Sequence, residues 1–173
     1  MEKKYNWNGV WTIKHIRKGE VIWEDTGNNS LVQQGEVAML ESFFKNTVDS
    51  APTEFYVRLC NSTPSITSTL PSIIGEASGF GYAAQLLPRS SVGWIESDYT
   101  GAGNYRLKSK VVTFTASGGS IGPVTNAYLA TVDGVDIPDI SPIAKLIAFR
   151  ALSMTRTILD GDSMTIQIRI DLG

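Results

Sequence analysis

One cysteine and one histidine in 173 residues remove much of the chemistry that proteins build from those side chains. Cys60 has no partner for an intrachain disulfide, and Cys60 with His15 cannot make a zinc site of the usual ligands. Charge is sparse too: charged residues are 18% of the chain and the formal net charge is -2, so the clustered cations that a phosphate backbone needs are missing. Nucleic acid is therefore not an expected partner. No apolar run approaches the roughly 18 residues that cross a bilayer as a helix, and Met1 to Asn8 is polar and charged rather than signal-like. A reducing cytoplasm is the expected place of folding, with no membrane partner. Repeats of about 20 to 50 residues and heptads are absent, which argues against a fibrous shaft.

What is present is the composition of an ordinary globular domain. With 42% hydrophobic residues over this length, the chain can bury a core without metals or disulfides. We expect an arm over residues 1–8 and one domain over residues 9–173.

Period-two alternation dominates that domain. Val10 to Arg17 and Glu20 to Glu24 flank Lys18-Gly19, so residues 10–24 read as a β-hairpin with Trp11, Ile13, Val21 and Trp23 on one face. Residues 33–46 change period: Val37, Leu40 and Phe44 recur at three- and four-residue spacing beside Met39 and Phe43. That pattern predicts an amphipathic helix whose stripe packs on a sheet. Alternation returns from Glu54 to Cys60, and residues 61–72, with Pro64 and Pro71, read as a loop. Further strands are expected at Tyr82 to Leu87, Val92 to Glu96, Tyr105 to Thr115, Val124 to Val132, Lys145 to Leu152 and Met164 to Asp171. The expected fold is mainly β: an antiparallel two-sheet sandwich, jelly-roll-like, with one helix near residues 33–46. Arg106, Lys108 and Lys110 would share one strand face, which reads as a solvated sheet surface or, more sharply, as a site for an acidic partner.

No catalytic constellation accompanies these strands. A Ser-His-Asp triad would have to use His15, which lies in a strand beside Ile13 and Ile16, and no Gly-x-Ser-x-Gly elbow occurs. Asp133, Asp136 and Asp139 could wrap calcium, yet they lack EF-hand spacing, and Asp133-Gly134 is also a hairpin signal. Asp160-Gly161-Asp162 reads as a turn. Glu96 and Asp98 beside Trp94 and Tyr99 are where paired carboxylates and sugar-stacking rings would be looked for; the plainer reading makes Trp94 the cover of a core edge that the acids keep soluble. Ser78-Gly79-Phe80-Gly81 is followed by neither Lys-Ser/Thr nor a helix, so no phosphate loop is expected, and the glycines of residues 75–81 and 118–122 should supply positive φ at turns and bulges. The chain is expected to be non-enzymatic and to hold no cofactor.

The series Gly75-Glu76-Ala77-Ser78-Gly79-Phe80-Gly81-Tyr82-Ala83-Ala84-Gln85, Gly93-Trp94, Val112-Thr113-Phe114-Thr115-Ala116, Gly118-Gly119-Ser120-Ile121-Gly122-Pro123-Val124 and Leu129-Ala130 resembles a group of tailed-bacteriophage virion proteins of the tail-fibre, tail-tip or head-decoration type. The resemblance implies a β-sandwich in a symmetric virion layer, without catalytic residues. It implies a homo-oligomer, trimeric or otherwise cyclic, attached to other head or tail proteins. Tyr5 and Trp7, on the N-terminal arm, are the candidate docking residues; Trp94 and Tyr99 are candidates for an interface, or for a receptor or carbohydrate at a tail tip.

Overall fold

The computed structural model describes residues 7–44, 52, 54–99, 105–131 and 144–172, without the side chains of Trp7, Phe43, Asp98, Tyr99 and Leu172. Eleven strands among them form two antiparallel sheets: β1 (Trp7–Arg17), β2 (Glu20–Asn28), β3 (Ser30–Leu31), β4 (Glu54–Cys60), β5 (Gln85–Pro88), β6 (Trp94–Tyr99), β7 (Tyr105–Ser109), β8 (Val112–Thr115), β9 (Ile121–Ala130), β10 (Leu146–Ile158) and β11 (Ser163–Leu172). The six-stranded sheet runs β2-β1-β11-β7-β6, with β8 also on β11; the five-stranded sheet runs β3-β10-β9-β4-β5. The single α-helix, α1 (Gln33–Phe44), lies on β10. The two-sheet β architecture with one helix is thus present as the alternation implied.

Alternation places the core. Met164, Ile166 and Ile168 of β11, Trp11 and Ile13 of β1 and Phe114 of β8 meet Val57, Leu59, Ala127 and Leu129 of the opposite sheet, all buried. Burying each large side chain contributes about 1.5–3 kcal/mol. A second cluster covers the other side of the five-stranded sheet. There Cys60, Tyr128, Ala130 and Leu146 pack against Val32, Leu70 and Ile73, so the segment read as a loop carries its own core residues. Burial pushes the Cys60 thiol up, which keeps it protonated and inert. The sheets are also tied at one edge, where Arg150 donates to Asp25 at 2.9 Å and Asp25 accepts from the Ser153 amide at 2.7 Å.

The strand expected from Tyr82 begins only at Gln85, and three further elements differ from the alternation. The hairpin turns at Lys18-Gly19 as expected, but a bulge leaves Ile22 without a cross-strand partner and pairs Val21 with Ile16, so Val21 is turned out of the face shared by Trp11, Ile13 and Trp23. The strand expected over 105–115 breaks into β7 and β8 at Lys110-Val111; Ser109 bridges the gap, its Oγ accepting from Ile168 and its carbonyl from Gln167, each at 2.9 Å. The helix forms where its period predicts, but its expected packing face is wrong. Val37, Leu40 and Phe44 are exposed by 53%, 59% and 76%, while Gly35 and Ala38 are the buried positions. The reason is distance: a Cβ on Gly35 would stand 2.3 Å from the Ile147 carbonyl oxygen, so only small residues fit between helix and strand.

Glycine does at the turns what the pattern required. Gly79, Phe80 and Gly81 have φ of 69°, 51° and 81°, a run of left-handed backbone that bulky residues resist. The Phe80 ring then lies on Gly119, where an added Cβ would come within 2.2 Å of it. The two glycine-rich stretches, far apart in sequence, touch in space.

Candidate functional site

The sheets separate at the end where β11 finishes. Phe55, Leu129 and Ile147 from one sheet and Trp94, Leu107 and Ile170 from the other line a cavity of about 450 Å³, joined by Met39 of α1. Among the described residues, its polar side chains apart from the Trp94 indole come from the β5–β6 turn: Arg89, Ser90 and Ser91. That turn is fixed by the Gly93 and Trp94 amides donating to the Ser90 carbonyl at 3.0 and 2.9 Å, and by Lys110 donating to the Gly93 carbonyl at 2.7 Å. Gly93 is needed there, since a Cβ would stand 2.0 Å from the Pro88 carbonyl oxygen. Arg89 is exposed and donates through Nη1 to the Pro52 carbonyl at 3.2 Å.

Trp94 is half-buried in this wall, its ring edge-on to Phe55 at 6.2 Å and 87°. Of its companions in the sugar-binding reading, Glu96 does not join it. Glu96 pairs with Lys108 at 2.9 Å beside the outer face of the sheet, and Lys108 holds its carboxyl below the usual carboxylate range. Tyr99 closes β6 opposite Tyr105, but its side chain and that of Asp98 lie outside the described set. Tyr5 also lies outside the described residues. Trp7 and Asn8, expected in the arm, already belong to β1 and are paired with Leu172 and Asp171. The candidate calcium residues Asp133, Asp136 and Asp139 fall outside the described residues. Among those described, no three His, Cys, Asp or Glu side chains gather as a metal site.

The cations of β7 take the solvated reading. Arg106 pairs with Asp171 at 3.1 Å and Lys108 with Glu96, in an outer face that also carries Lys14–Glu24 at 3.3 Å and Arg169–Asp171 at 2.9 Å. These are exposed or half-exposed pairs, each worth little.

Two buried polar clusters escaped the sequence reading. In the first, His15 Nε2 meets Asp162 at 2.9 Å while Arg156 reaches Nδ1 at 3.0 Å. A guanidinium has no lone pair to offer, so Nδ1 accepts and Nε2 carries the proton that is donated to Asp162. Burial, with Arg156 adding to it, lowers the His15 pKa; Arg17, bonded to both Asp162 oxygens at 3.1 and 2.8 Å, holds that carboxyl at about 2. The arrangement resembles the Asp-His half of a triad, but the nitrogen that would take a proton from a nucleophile is occupied by Arg156. In the second cluster, Arg58 Nε donates to Glu76 at 2.6 Å, and the Tyr82 hydroxyl donates to Glu76 at 2.9 Å while accepting from the Leu59 amide at 3.1 Å. Burial raises the Tyr82 pKa, so the hydroxyl stays protonated. Neither pairing has a sequence signal, because each joins residues from different elements.

No protein-family model matches the chain, and no curated protein matches it.

Proposed function

We propose that this chain is a non-enzymatic structural protein of a tailed-bacteriophage virion, assembled in the host cytoplasm, which associates with copies of itself and attaches to capsid or tail components. The observation that carries the association is the solvent-facing stripe of α1. Val37 and Leu40 are turned to solvent because Gly35 and Ala38 occupy the seat on the sheet. An ordered helix presenting bulky apolar residues outward is what subunits bury against each other. A stable interface needs ~800 Å² per partner, about a twelfth of the 9412 Å² surface, with this stripe near its centre. The resemblance of the glycine-punctuated pattern to virion proteins supplies the kind of assembly and the jelly-roll-like description. The non-enzymatic reading draws support from His15, whose two ring nitrogens are already engaged.

Sedimentation velocity on the wild type and on a Val37→Ser, Leu40→Glu variant tests association, and mass spectrometry of particles from the parent phage tests location. The wild type should sediment as a closed oligomer and be present in particles. The variant should be a monomer with an unchanged melting temperature, since both side chains are already exposed. A wild type that stays monomeric at high concentration, or particles devoid of the chain, would overturn the reading.

A further inference from the structure

We propose that the cavity between the sheets binds a single-chain aliphatic carboxylate, its chain among the apolar walls and its head group at Arg89. The cavity has the size of a small-molecule site: about 450 Å³ here, against roughly 300–1,000 Å³ for ligand pockets generally. Trp11, Ile13 and Phe114, within the core, are at 0%, 0% and 1% exposure, whereas Trp94, Leu107 and Ile170 on the cavity wall stay part-exposed and leave apolar surface for a ligand to cover.

The distribution of chemistry along the walls selects the ligand class. Among the described residues, both sheets and the helix contribute hydrocarbon, aromatic rings, the Met39 thioether and one indole N–H, that of Trp94, a lining that suits an alkyl chain far better than a sugar or a nucleotide. The other polar side chains of the described lining sit on one turn, and among them Arg89 carries the charge. Arg89 uses one Nη1 contact on the Pro52 carbonyl, and no carboxylate of the described residues pairs with it. A guanidinium pairs with a carboxylate through two parallel hydrogen bonds, so its remaining donors fit an anionic head at the end of the chain. The ordered turn that carries Arg89, pinned by Ser90, Gly93 and Lys110, holds the cation at the cavity rather than leaving it on a loose loop. The inference does not depend on the assembly reading above.

Calorimetric titration of the full chain with dodecanoate and with dodecanol, both below their micellar concentrations, tests it. Dodecanoate should bind one to one and raise the melting temperature saturably, and dodecanol should bind more weakly. Arg89→Gln, at an exposed position that leaves the fold alone, should weaken dodecanoate roughly fivefold and leave dodecanol unchanged. Leu107→Trp, which fills the cavity, should remove binding of both; circular dichroism checks that this variant is folded. Absence of binding to the wild type overturns the proposal, as does unchanged binding by a folded Leu107→Trp chain. Equal dodecanoate affinity in Arg89→Gln overturns the assignment of a carboxylate.

Discussion

Replacing Glu76 by Gln keeps the size of the side chain and an oxygen for the Tyr82 hydroxyl but removes the charge that faces Arg58. The Arg58 side chain is 6% exposed and that of Glu76 12%, with 2.6 Å between Nε and Oε1, so the pair is almost wholly out of water. Removing one member of such a pair costs about 3–5 kcal/mol, because the surviving charge has lost both its hydration and its counter-ion. The retained amide oxygen and the Tyr82 bond place this variant at the low end, about 3 kcal/mol. With a urea m value of about 2 kcal/mol/M for a domain of this size, the midpoint should fall by about 1.5 M. The paired replacement Arg58→Met with Glu76→Gln removes both charges and keeps an oxygen for Tyr82, and its midpoint should return to within about 0.5 M of wild type. Urea unfolding followed by tryptophan fluorescence and by circular dichroism reads both quantities. If Glu76→Gln unfolds with the wild type, or the double variant is as weak as the single one, the argument from desolvation fails.

Stability should also fall in acid in two stages. The folded pKa of His15 lies below its ordinary 6.5, so the unfolded chain takes the proton first and stability declines as pH drops through 6.5. Asp162 titrates near 2 when folded and 3.8 when unfolded, so its contribution is complete above 3.8 and is lost between those values. Thermal melts across pH 2–8 should lose the upper stage in His15→Gln and keep the lower; a profile identical to wild type contradicts the neutral, Arg156-bonded imidazole. Gly35→Ala should destabilise by about 1–3 kcal/mol through the contact with the Ile147 backbone, against a helix-propensity gain of about 1 kcal/mol. A raised melting temperature would contradict the close approach of α1 to β10.

Period alone located most strands because one face of each is buried. In β11 the residues Met164, Ile166 and Ile168 fall to 0%, 1% and 2% exposure, and no other register could achieve that. The helix shows where period stops being informative. Hydrophobicity marked Val37, Leu40 and Phe44 as the inner face, whereas packing distance chose Gly35 and Ala38, and hydropathy carries no term for how closely two backbones approach. Val21 was misplaced by a bulge that the residues at 21–23 do not announce. Of the cavity, Trp94 was legible as an aromatic at a core edge. Phe55, Leu107 and Ile170 looked like ordinary strand positions, and Arg89 stood in a turn without distinction, because a void is defined by elements that meet only in three dimensions. Arg58 and Glu76 were equally silent: one belonged to a strand, the other to a glycine run read for its turns.

Asp162 stands immediately before β11, and Ile170 stands near its far end on the cavity wall. Eight residues of strand at ~3.3 Å each put about 26 Å between them. Perturbations this far apart, with no shared partner, add in free energy. Proton uptake at His15 and Asp162 and occupation of the space beside Trp94 are therefore independent variables of one molecule: filling the cavity with dodecanol, which has no titrating head group, should move the whole stability curve upward without changing its dependence on pH.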